Sequence, residues 1–600
     1  MLKTYSVRSP NERVEASLWL DDDGPQRASL FWRVRIDGRE LIEPSRMGLA
    51  PDGLPPWGAN LEITAVVDKR VAVETWEPVY GEHASVAHRF EEFAVDVTET
   101  IPPRRTVRIW LRAFDGGAAL RYERVDSSGE IWNLIDEQTA FQFPTGSIAY
   151  RQAWPEDTYH PTPVNALPDP TVCPLLIQLP SGGYAVVQEA GNRNSGRMML
   201  DAESHRGILT ARIQGVSPFE PGAVLPWRVV LHADEINDLV GVGSQIASLC
   251  PQNAIRNTDW IVPGKAIREV TLSTAGGIAC VDFAAAHGMS HILYDAGWYG
   301  HEYDDHSDPR SVDPDPDRTD KIPGWAGLNL REVIDYSRER GIGVFVYVNR
   351  RHLERYLDDI LPLYQGWGIA GIKFGFVNVG PAGWTSWLYD AVERCADHHL
   401  MVDIHDNHRP TGLSRTYPNL LTQEGVRGNE HFPDSSHNCL LPYTRFVAGA
   451  ADYTICYRES RLQTTCAHQL AIAAAFYSPL QLVYWYAQPS RFDSRTMPEL
   501  TWFDRVPTVW DDSVGIGGEL GKWAAIARRS GDTWYVGVLN GATARSVTLS
   551  LEKLNGSSWK VERFDDATGH AVVAVTESAG SEITCDLQAS GGSALILKAS

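Results

Sequence analysis

Strand and helix patterns alternate through the middle of this sequence, from about residue 255 to about residue 500. Apolar runs such as HILYDAGWY, IGVFVYV, AGIKFGF and LMVDIHD are separated by helical patterns such as NLREVIDYSRERG and LERYLDDILPLYQGWG. Repeated β–α units predict a parallel sheet, because parallel strands need a crossover connection. Roughly 250 residues suit a (β/α)8 barrel. The alternative is a doubly wound open sheet, although no GxGxxG motif follows an early strand to support nucleotide binding.

Short strand patterns without helices lie on both sides of this region. Runs such as ASLFWRVRI, TVRIWLRAF and YAVVQEA precede it, and TWYVGVLN, SVTLSLEKL and SALILKA follow it, with Gly-rich turns between them. We therefore predict a multidomain α/β plus β protein. The predicted domains are an amino-terminal β region at 1–254, a catalytic barrel at 255–505 and a small antiparallel β domain at 506–600.

The charge balance narrows the class of partner. The chain has 54 Lys and Arg against 76 Asp and Glu, a formal charge of −22, which repels nucleic acid and anionic membranes. A neutral substrate, or a cation held by carboxylates, fits this balance. The eight cysteines are dispersed without a CxxC pair, so neither a disulfide framework nor a zinc finger is expected. No apolar segment of signal-peptide or membrane-spanning length is present, which predicts a cytoplasmic protein as supplied, or a periplasmic one if an export signal was trimmed. Its oligomeric state, monomer or dimer, stays open.

Residues 403–430, DIHDNHRPTGLSRTYPNLLTQEGVRGNE, concentrate acids, histidines and arginines directly after the apolar run LMV. Barrels hold their chemistry at such strand ends, because the strands fix the backbone while the loops vary. Asp406 lies at the strand end, and Glu424 and Glu430 flank a Gly-containing turn. Three acids in adjacent loops repel one another unless a cation or a shared proton lies between them. A Ca²⁺ ion would meet that requirement, although glutamates at this spacing are also common on surfaces.

Other candidate substrate-binding residues lie at neighbouring strand ends. Lys373 follows an apolar run and must find a partner if it is buried, or it reaches solvent. His405 can orient an acid or bind a sugar hydroxyl, or it is a structural histidine. Asp295 and Trp298, in YDAGWY, are placed to bound a pocket, and Trp298 equally suits core packing. The acid-rich loop at 301–320 is interpreted as a hydrated barrel loop.

The ordered string HDNHRPTGLSRTYPNLLTQEGVRGNE resembles the corresponding block of glycoside hydrolase family 97, a family of calcium-dependent α-glucosidases and α-galactosidases. WEPVYGE, FDGGAALRY, VVQEAGNRNSG, TDWIVPGKA and LPYTRFVAGAADYT extend the resemblance over nearly the whole chain. It implies an amino-terminal β super-sandwich, a (β/α)8 barrel and a carboxy-terminal β domain. It also implies that Glu189 and Glu424 bind Ca²⁺, that Glu430 is the general acid, and that Asp406 contacts Ca²⁺ and acts as the base.

Two positions depart from the family pattern. Retaining members have an aspartate nucleophile where this chain has Gly375, so the resemblance favours inversion. Inverting members have a glutamate after barrel strand 3, where this chain reads YVNRRHLERY and offers Asn349, Arg350 and Arg351 before Glu354. Either Asp406 alone activates water, or Glu354 reaches the site, or the chemistry has changed.

The leading hypothesis is an exo-acting inverting α-glycosidase, most simply an α-glucosidase, that acts on a small carbohydrate. Glu430 would then need a raised pKa to stay protonated, whereas Asp406 would stay ionised. A relative acting on α-galactosides or on acidic glycosides is the alternative, since Arg350 or Arg351 could pair with an anionic sugar. A third hypothesis is a calcium-dependent carbohydrate-binding protein without turnover.

Overall fold

The computed structural model describes residues 3–24, 26–126, 129–168, 170–203, 206–567 and 572–600. Within these ranges the chain forms antiparallel sheets at both ends and a parallel barrel between them. The multidomain α/β plus β fold class predicted from the sequence is therefore confirmed.

Two large antiparallel sheets face each other in the amino-terminal region. Alternating side chains such as Leu30, Trp32, Ile109 and Leu111 are fully buried between them and form one apolar core, which makes the region a β super-sandwich. In hydrogen-bonding order, the described strands of the first sheet are Tyr5–Arg8, Val14–Asp23, Gln26–Ile36, Arg39–Arg46, Ala140–Gln142, Ile208–Ile213, Met198–Glu203 and Thr171–Val172. Those of the second are His160–Pro163, Ile148–Arg151, Leu175–Gln178, Tyr184–Ala190, Trp227–Ala233, Gly117–Arg124, Thr106–Phe114, Val86–Glu99 and Leu61–Trp76. A small third sheet contains Ser217–Phe219, Trp132–Glu137 and Leu49–Pro51.

Seven parallel strands of the described residues form the barrel, and they are numbered here in chain order. Barrel strands 1 to 7 are Gly264–Glu269, His291–Tyr294, Gly343–Asn349, Gly371–Gly375, Met401–Ile404, Leu420–Gln423 and Leu480–Val483. The pairing order is 6-5-4-3-2-1-7, so strands 1 to 6 lie beside their neighbours in the chain and strand 7 pairs with strand 1. Nearly every strand residue is buried, as expected for a parallel sheet covered on both faces.

An irregular segment fills the gap between strands 6 and 7. The backbone N–H of Asp452 donates to the carbonyl of Gln423 on strand 6 at 3.3 Å, and the N–H of Ile455 donates to the carbonyl of Leu482 on strand 7 at 2.7 Å. Ile455 also forms a single parallel bridge with Val483. The eighth place of the predicted (β/α)8 barrel is thus occupied by a chain segment without a regular strand.

Helices cover the outside of the barrel, and helix Leu330–Arg338, for example, buries an apolar face with Leu330, Val333 and Ile334. Ser273, Asn329 and Asn349 each cap the start of the next helix, accepting a hydrogen bond from a backbone N–H through the side chain. The α-helices of the described residues are Gly243–Ser248, Thr274–Ala286, Pro316–Thr319, Leu330–Arg338, Arg350–Trp367, Ala382–Asp397, Ser435–Leu440, Cys466–Ala475 and Thr501–Arg505. Short 3-10 helices span Val164–Ala166, Ile236–Leu239, Leu413–Arg415, Asn429–His431, Leu441–Tyr443, Arg445–Ala448, Pro489–Arg491, Pro498–Leu500 and Glu552–Leu554.

The carboxy-terminal domain is a small antiparallel β domain that packs on the barrel helix Cys466–Ala475. Inside that helix His468 lies fully buried against the domain, where its Nδ1–H donates to the carbonyl of Gly591 at 2.9 Å. The larger sheet contains Asp512–Glu519, Trp523–Ser530, Thr533–Asn540, Gly592–Ala599, Trp559–Asp566 and Val572–Ala579, and a second pairs Arg545–Ser550 with Glu582–Leu587. Among the helices in the described ranges, none has the length and hydropathy needed to cross a membrane. The domain boundaries at 254 and 505 stay predictions.

Candidate active site at the mouth of the barrel

Barrel strands 5 and 6 bring the predicted acids together at their carboxyl ends. Strand 5 continues into His405 and Asp406, and strand 6 continues into Glu424. The backbone N–H of Asp406 donates to Oε2 of Glu424 at 2.5 Å. Ligand atoms of His405, Asp406 and Glu424 all lie within 4.8 Å of one another. The sequence segment at 403–430 therefore does form one polar cluster.

His405 lies between two of the glutamates. Its Nδ1 is 3.2 Å from Oε2 of Glu424, and its Nε2 is 3.2 Å from Oε2 of Glu430. Burial by itself lowers the pKa of His405, but the negative charge of Glu424 and the hydrogen bond and charge of Glu430 outweigh it and raise the pKa well above its usual value. His405 is therefore an imidazolium whose charge partly offsets the acids around it.

Burial by itself raises the pKa of the Glu430 carboxyl group. The hydrogen bond and charge of His405 and the positive charge of Lys373 act in the opposite direction and leave the pKa of Glu430 below its ordinary value. Its Oε1 accepts a hydrogen bond from Nε1 of Trp485 at 3.0 Å. The expected raised pKa of Glu430 is thus wrong in this structure. The contact with His405 favours the proton on the imidazole and the ionised form of Glu430.

Lys373 points into the barrel beneath this cluster. It is 1% exposed, its Nζ lies 3.6 Å from Oδ2 of Asp452, and it sits 4.3 Å from the ring centroid of Trp485. Burial lowers the pKa of Lys373, but the charges of Asp295, Asp452 and Asp403 raise it above the usual value. Lys373 therefore stays charged and contributes a fixed cation below Glu430.

The two residues predicted from YDAGWY separate in the structure. Asp295 is buried beside the cluster, with Oδ2 3.3 Å from Nε of Arg268. Burial raises the pKa of Asp295, but the charges of Arg268 and Lys373 lower it below the usual value. Trp298 is fully buried and donates from Nε1 to the carbonyl of Tyr347 at 2.7 Å. Trp298 as a pocket residue is therefore corrected to a packing residue.

The residues after strand 3 do not supply a carboxylate to the cluster. Asn349 accepts a hydrogen bond from the backbone N–H of Arg351 and caps the next helix. Arg351 is exposed, donates to the carbonyl of Tyr303 at 3.2 Å and covers the Tyr303 ring. Arg350 lies 3.4 Å from the carboxylate of Glu354, which is turned to solvent. Glu354 is therefore an exposed residue that pairs with Arg350.

Tyr347 occupies the space beside Gly375. A Cβ placed on Gly375 would lie 2.0–2.1 Å from Cε2, Cζ and Oη of Tyr347. The phenol donates to Oε2 of Glu302 at 2.5 Å, and Nδ2 of Asn349 donates to the same oxygen at 3.3 Å. The place of a side chain on strand 4 is therefore filled by a tyrosine from strand 3. Glu302 comes from the acid-rich loop and was not singled out by the sequence.

Glu189 is not part of the group of ligand atoms formed by His405, Asp406 and Glu424, and its assignment as a Ca²⁺ ligand stays a prediction. Its Oε2 lies 3.2 Å from Nη1 of Arg228 and accepts from Nδ2 of Asn192 at 3.1 Å, while Oε1 accepts from the N–H of Met198 at 3.2 Å. The carboxylate is buried and its charge is offset by Arg228. These polar contacts of Glu189 lie within the amino-terminal domain, and its side chain also lines a small cavity with Asn407 and His408.

Glu156 is the acid that the amino-terminal domain supplies to this site. Burial, then the charge of Asp406, raises the pKa of Glu156 to about 6, and the charge of Glu430 also raises it. Its Oε1 is buried and has no hydrogen-bond partner in the parts of the chain that the structure describes. Arg409 holds the preceding loop in place by donating to the carbonyl of Pro155 at 2.7 Å. No local pattern in AWPEDTY marks this residue, which is 250 positions from Asp406 in the chain.

Two exposed aromatic side chains border the same mouth, and a third lies close to Glu156 in the chain. Tyr303 and Phe376 are 45% and 46% exposed, with ring centroids 5.3 Å apart, and Trp154 is 53% exposed two residues before Glu156. The N–H of Phe376 donates to Oδ2 of Asp406. Phe376 has a φ of +52° and Asp406 a φ of +64°, left-handed conformations that cost energy for a phenylalanine and persist at functional sites. Flat apolar faces next to carboxylates are typical of sugar-binding clefts.

Comparison with known proteins agrees with this arrangement. Three family models match the chain: Glycosyl-hydrolase 97 N-terminal over residues 7–248, Glycoside hydrolase 97 over residues 264–426, and Glycosyl-hydrolase 97 C-terminal, oligomerisation, over residues 509–598. The chain is 24% identical to a retaining alpha-galactosidase of Bacteroides thetaiotaomicron, covering 94% of this chain and 91% of that protein. It is 27% identical to a probable retaining alpha-galactosidase of Streptomyces bingchenggensis, covering 93% and 87%.

Solved structures share the whole architecture. A glycoside hydrolase family 97 enzyme from Pseudoalteromonas sp. strain K8, in complex with acarbose, superposes with a TM-score of 0.88 at 22% identity and covers 99% of this chain and 100% of that one. A beta-arabinopyranosidase superposes with a TM-score of 0.84 at 20% identity, covering 99% and 100%. With all three of its parts matched by the models of one family, the chain belongs to glycoside hydrolase family 97.

Proposed function

We propose that this glycoside hydrolase is an exo-acting α-glycosidase that releases a terminal sugar with inversion. The observation that carries inversion is the pair Gly375 and Tyr347, because strand 4 has no carboxylate and the tyrosine ring fills the space of one. A covalent glycosyl-enzyme formed on that strand is therefore unavailable. The names of the two curated relatives describe retaining enzymes, and Gly375 is the reason not to transfer that outcome.

Glu430 is the proposed proton donor to the glycosidic oxygen. Its Oε2 is 3.2 Å from Nε2 of His405. In this pair the carboxylate is ionised and the imidazolium carries the proton that can be transferred. Transfer of that proton from nitrogen to oxygen gives the acid form that a leaving group requires. Trp485 holds the other oxygen, so only one face of the carboxyl group is free to turn towards the substrate.

The donor set fits a divalent cation that prefers oxygen ligands. Asp406 and Glu424 would hold it, with Glu156 as the contribution of the amino-terminal domain, in place of the predicted Glu189. The unpartnered Oε1 of Glu156 is the observation that supports this set. A bound Ca²⁺ would supply charge compensation and polarise sugar hydroxyls. Asp406 was also predicted as the base, and a carboxylate bound to a cation is a weaker proton acceptor, so these two roles compete.

An α-glucoside is the proposed substrate, and an α-galactoside is the second candidate because both curated relatives are named alpha-galactosidases. Tyr303, Phe376 and Trp154 lie where the leaving group would emerge, and their exposed faces suit a second sugar ring or an aryl group. Arg350 pairs with Glu354, and Arg351 donates to the carbonyl of Tyr303 and lies over the Tyr303 ring.

The first experiment measures hydrolysis of α-glucosides and α-galactosides and follows the first product by NMR. Inversion gives the β-anomer of the free sugar, and accumulation of the α-anomer would contradict the proposal. Glu430→Gln should lose about 10³-fold on sugar leaving groups and much less on activated aryl glycosides, which need little protonation. Glu354→Gln is the matched control, since it removes an exposed carboxylate near strand 3, and it should leave both rates unchanged.

The second experiment tests the cation set. Calorimetric titration of Ca²⁺ into the chelator-treated protein should show binding that Glu156→Gln weakens by at least tenfold. Glu189→Gln should reduce stability, because Arg228 loses a buried partner, yet leave Ca²⁺ affinity within threefold. The reverse pattern would return Glu189 to the cation site.

A further inference from the structure

Two of the positions at which the family resemblance places catalytic carboxylates, the end of strand 3 and strand 4, have no carboxylate in this chain, whereas Asp406 is present at a third. Asn349 stands at the end of strand 3, and Gly375 stands opposite it on strand 4, as the register of the two strands shows. Proposed inversion requires a base across the sugar ring from Glu430. Because Asp406 is proposed to hold the cation, the base must reach this layer of the barrel mouth from another part of the chain.

We propose that Glu302 is that base and takes the proton of the attacking water, an inference that rests on the proposed inverting glycosidase. Glu302 enters from the loop after strand 2. Its Oε2 accepts from Oη of Tyr347 at 2.5 Å and from Nδ2 of Asn349 at 3.3 Å. Asn349, at the first of the two family positions, thus donates directly to Glu302. Gly375, at the second, lies beside Tyr347, which also donates to Glu302.

The surroundings of Glu302 suit a proton acceptor. Its side chain is 12% exposed, which leaves it within reach of water at the mouth while most of it is fixed by neighbours. Tyr347 is a donor at this position, since burial and the charges of Glu302 and Asp295 raise its pKa and keep the phenol protonated. Two donors therefore occupy Oε2 and orient the carboxyl group. The other oxygen, Oε1, lies 3.5 Å from Nη2 of Arg318, a long contact that leaves it room to accept from water.

Glu302 and Asp406 border the same rim of the mouth. Tyr303, the next residue along, contacts the ring of Phe376, whose N–H donates to Asp406. Burial raises the pKa of the Tyr303 hydroxyl, and the charges of Glu302 and Asp406 both raise it further, so both carboxylates lie close to this ring. We therefore assign Asp406 to the cation and Glu302 to the water, with two neutral donors on Oε2 of Glu302 and Arg318 3.5 Å from its Oε1.

The step balances without another reactant. The oxygen of water forms a bond to the anomeric carbon, and one of its protons moves to Oε1 of Glu302. The bond from that carbon to the glycosidic oxygen breaks, and the leaving oxygen receives the proton of Glu430. The product sugar has the opposite anomeric configuration, and the two carboxyl groups exchange protons with solvent before the next turnover.

The test compares Glu302→Gln, Glu302→Asp and Glu302→Ala with the wild-type full-length chain on an aryl α-glycoside. Glu302→Gln should lower kcat about 10³-fold with KM within threefold, and Glu302→Asp should keep part of the activity because it keeps a carboxylate. Sodium azide added to Glu302→Ala should restore turnover and yield the β-glycosyl azide, since the small anion attacks from the face left by the side chain. Rescue also shows that the variant is folded around its substrate.

The outcomes separate this inference from the proposed function. A wild-type chain that cleaves no α-glycoside, or that retains configuration, refutes the inverting glycosidase and Glu302 with it. An inverting wild type with Glu302→Gln within threefold of its kcat overturns only Glu302 as the base. Absence of azide rescue in a folded Glu302→Ala does the same. Tyr347→Phe, which removes one donor to Glu302 and keeps the ring beside Gly375, should lower kcat about tenfold without raising KM, and an effect on KM alone would count against the inference.

Discussion

Gly375→Ala is the sharpest test of the claim that strand 4 has no room for a nucleophile. Gly375 lies in an ordinary strand conformation, so alanine adds a methyl group without backbone strain. That methyl carbon would stand 2.0 Å from Cε2 and 2.1 Å from Oη of Tyr347, far inside van der Waals contact. The tyrosine ring must move, and its hydrogen bond to Glu302 must break or lengthen.

The cost has two parts. Overpacking a buried site typically destabilises by about 1–3 kcal/mol, and losing a hydrogen bond to a charged acceptor costs about 1.5–3 kcal/mol. The expected loss for Gly375→Ala is therefore about 3–5 kcal/mol in the free energy of unfolding of the barrel. Tyr347→Ala leaves a cavity and should cost about 3–5 kcal/mol by itself. In the double variant the clash disappears, so its loss of stability should be about 3 kcal/mol smaller than the sum of the two single losses.

Guanidinium unfolding of the single and double variants measures these differences, with turnover of an aryl α-glycoside as the second readout. Gly383→Ala is the matched control, because it lies in a barrel helix with nothing within 4 Å of the added carbon and should stabilise the chain by about 0.5–1 kcal/mol. A Gly375→Ala protein as stable and active as wild type would refute the steric argument, and strict additivity in the double variant would show that the ring and the methyl group never meet.

Three further outcomes follow from the structure. Arg409→Met should destabilise the chain by about 3 kcal/mol and weaken Ca²⁺ binding, because the carbonyls of Pro155, Cys173 and Gly425 lose a buried donor. Denaturant unfolding at constant pH measures the loss of stability, and an unchanged unfolding midpoint would contradict it. His468 is fully buried, and burial lowers its pKa to about 4. Its contribution to the free energy of unfolding is therefore complete above pH 6.5 and is lost as pH falls towards 4, with a loss of about 2 kcal/mol at pH 5. His468→Gln should flatten the pH dependence of the free energy of unfolding between pH 7.5 and 5. Phe376→Ala should raise KM about tenfold for a disaccharide but not for a methyl glycoside, at unchanged stability, and an equal effect on both substrates would exclude the ring from leaving-group binding.

The barrel was predictable because its information is local. Each strand and helix is a short run with its own apolar period. The carboxyl ends of parallel strands must meet at one edge, so the sequence predicts that His405, Asp406 and Glu424 lie together. The eighth place of the barrel was less accessible to this reasoning. Asp452 and Ile455 make only single backbone contacts to strands 6 and 7, so no period marks them as a strand.

Residues that reach the site from a distance left no comparable signal. Glu156 is placed by Arg409, which bonds to carbonyls of the amino-terminal domain across the domain boundary. Glu302 is one of eight acids in its loop, and only the positions of Tyr347 and Asn349 distinguish it from the others. Both placements depend on side-chain contacts between segments far apart in the chain, and sequence spacing carries no information about such contacts.

The location of protons was harder still to predict than the location of residues. The family resemblance implied that Glu430 is the general acid and so needs a raised pKa, yet His405 lies 3.2 Å away and lowers the pKa instead. Neighbouring carboxylates raise the pKa of a carboxyl group, whereas a base close enough to take its proton lowers that pKa. Because His405 contacts Glu424 through one nitrogen and Glu430 through the other, any group that neutralises Glu424 also weakens the hold of His405 on its proton. Cation binding at Glu424 and proton delivery by Glu430 are therefore coupled through a single imidazole ring, and His405→Gln should separate them by removing the dependence of the rate on Ca²⁺ concentration while leaving Ca²⁺ binding in place.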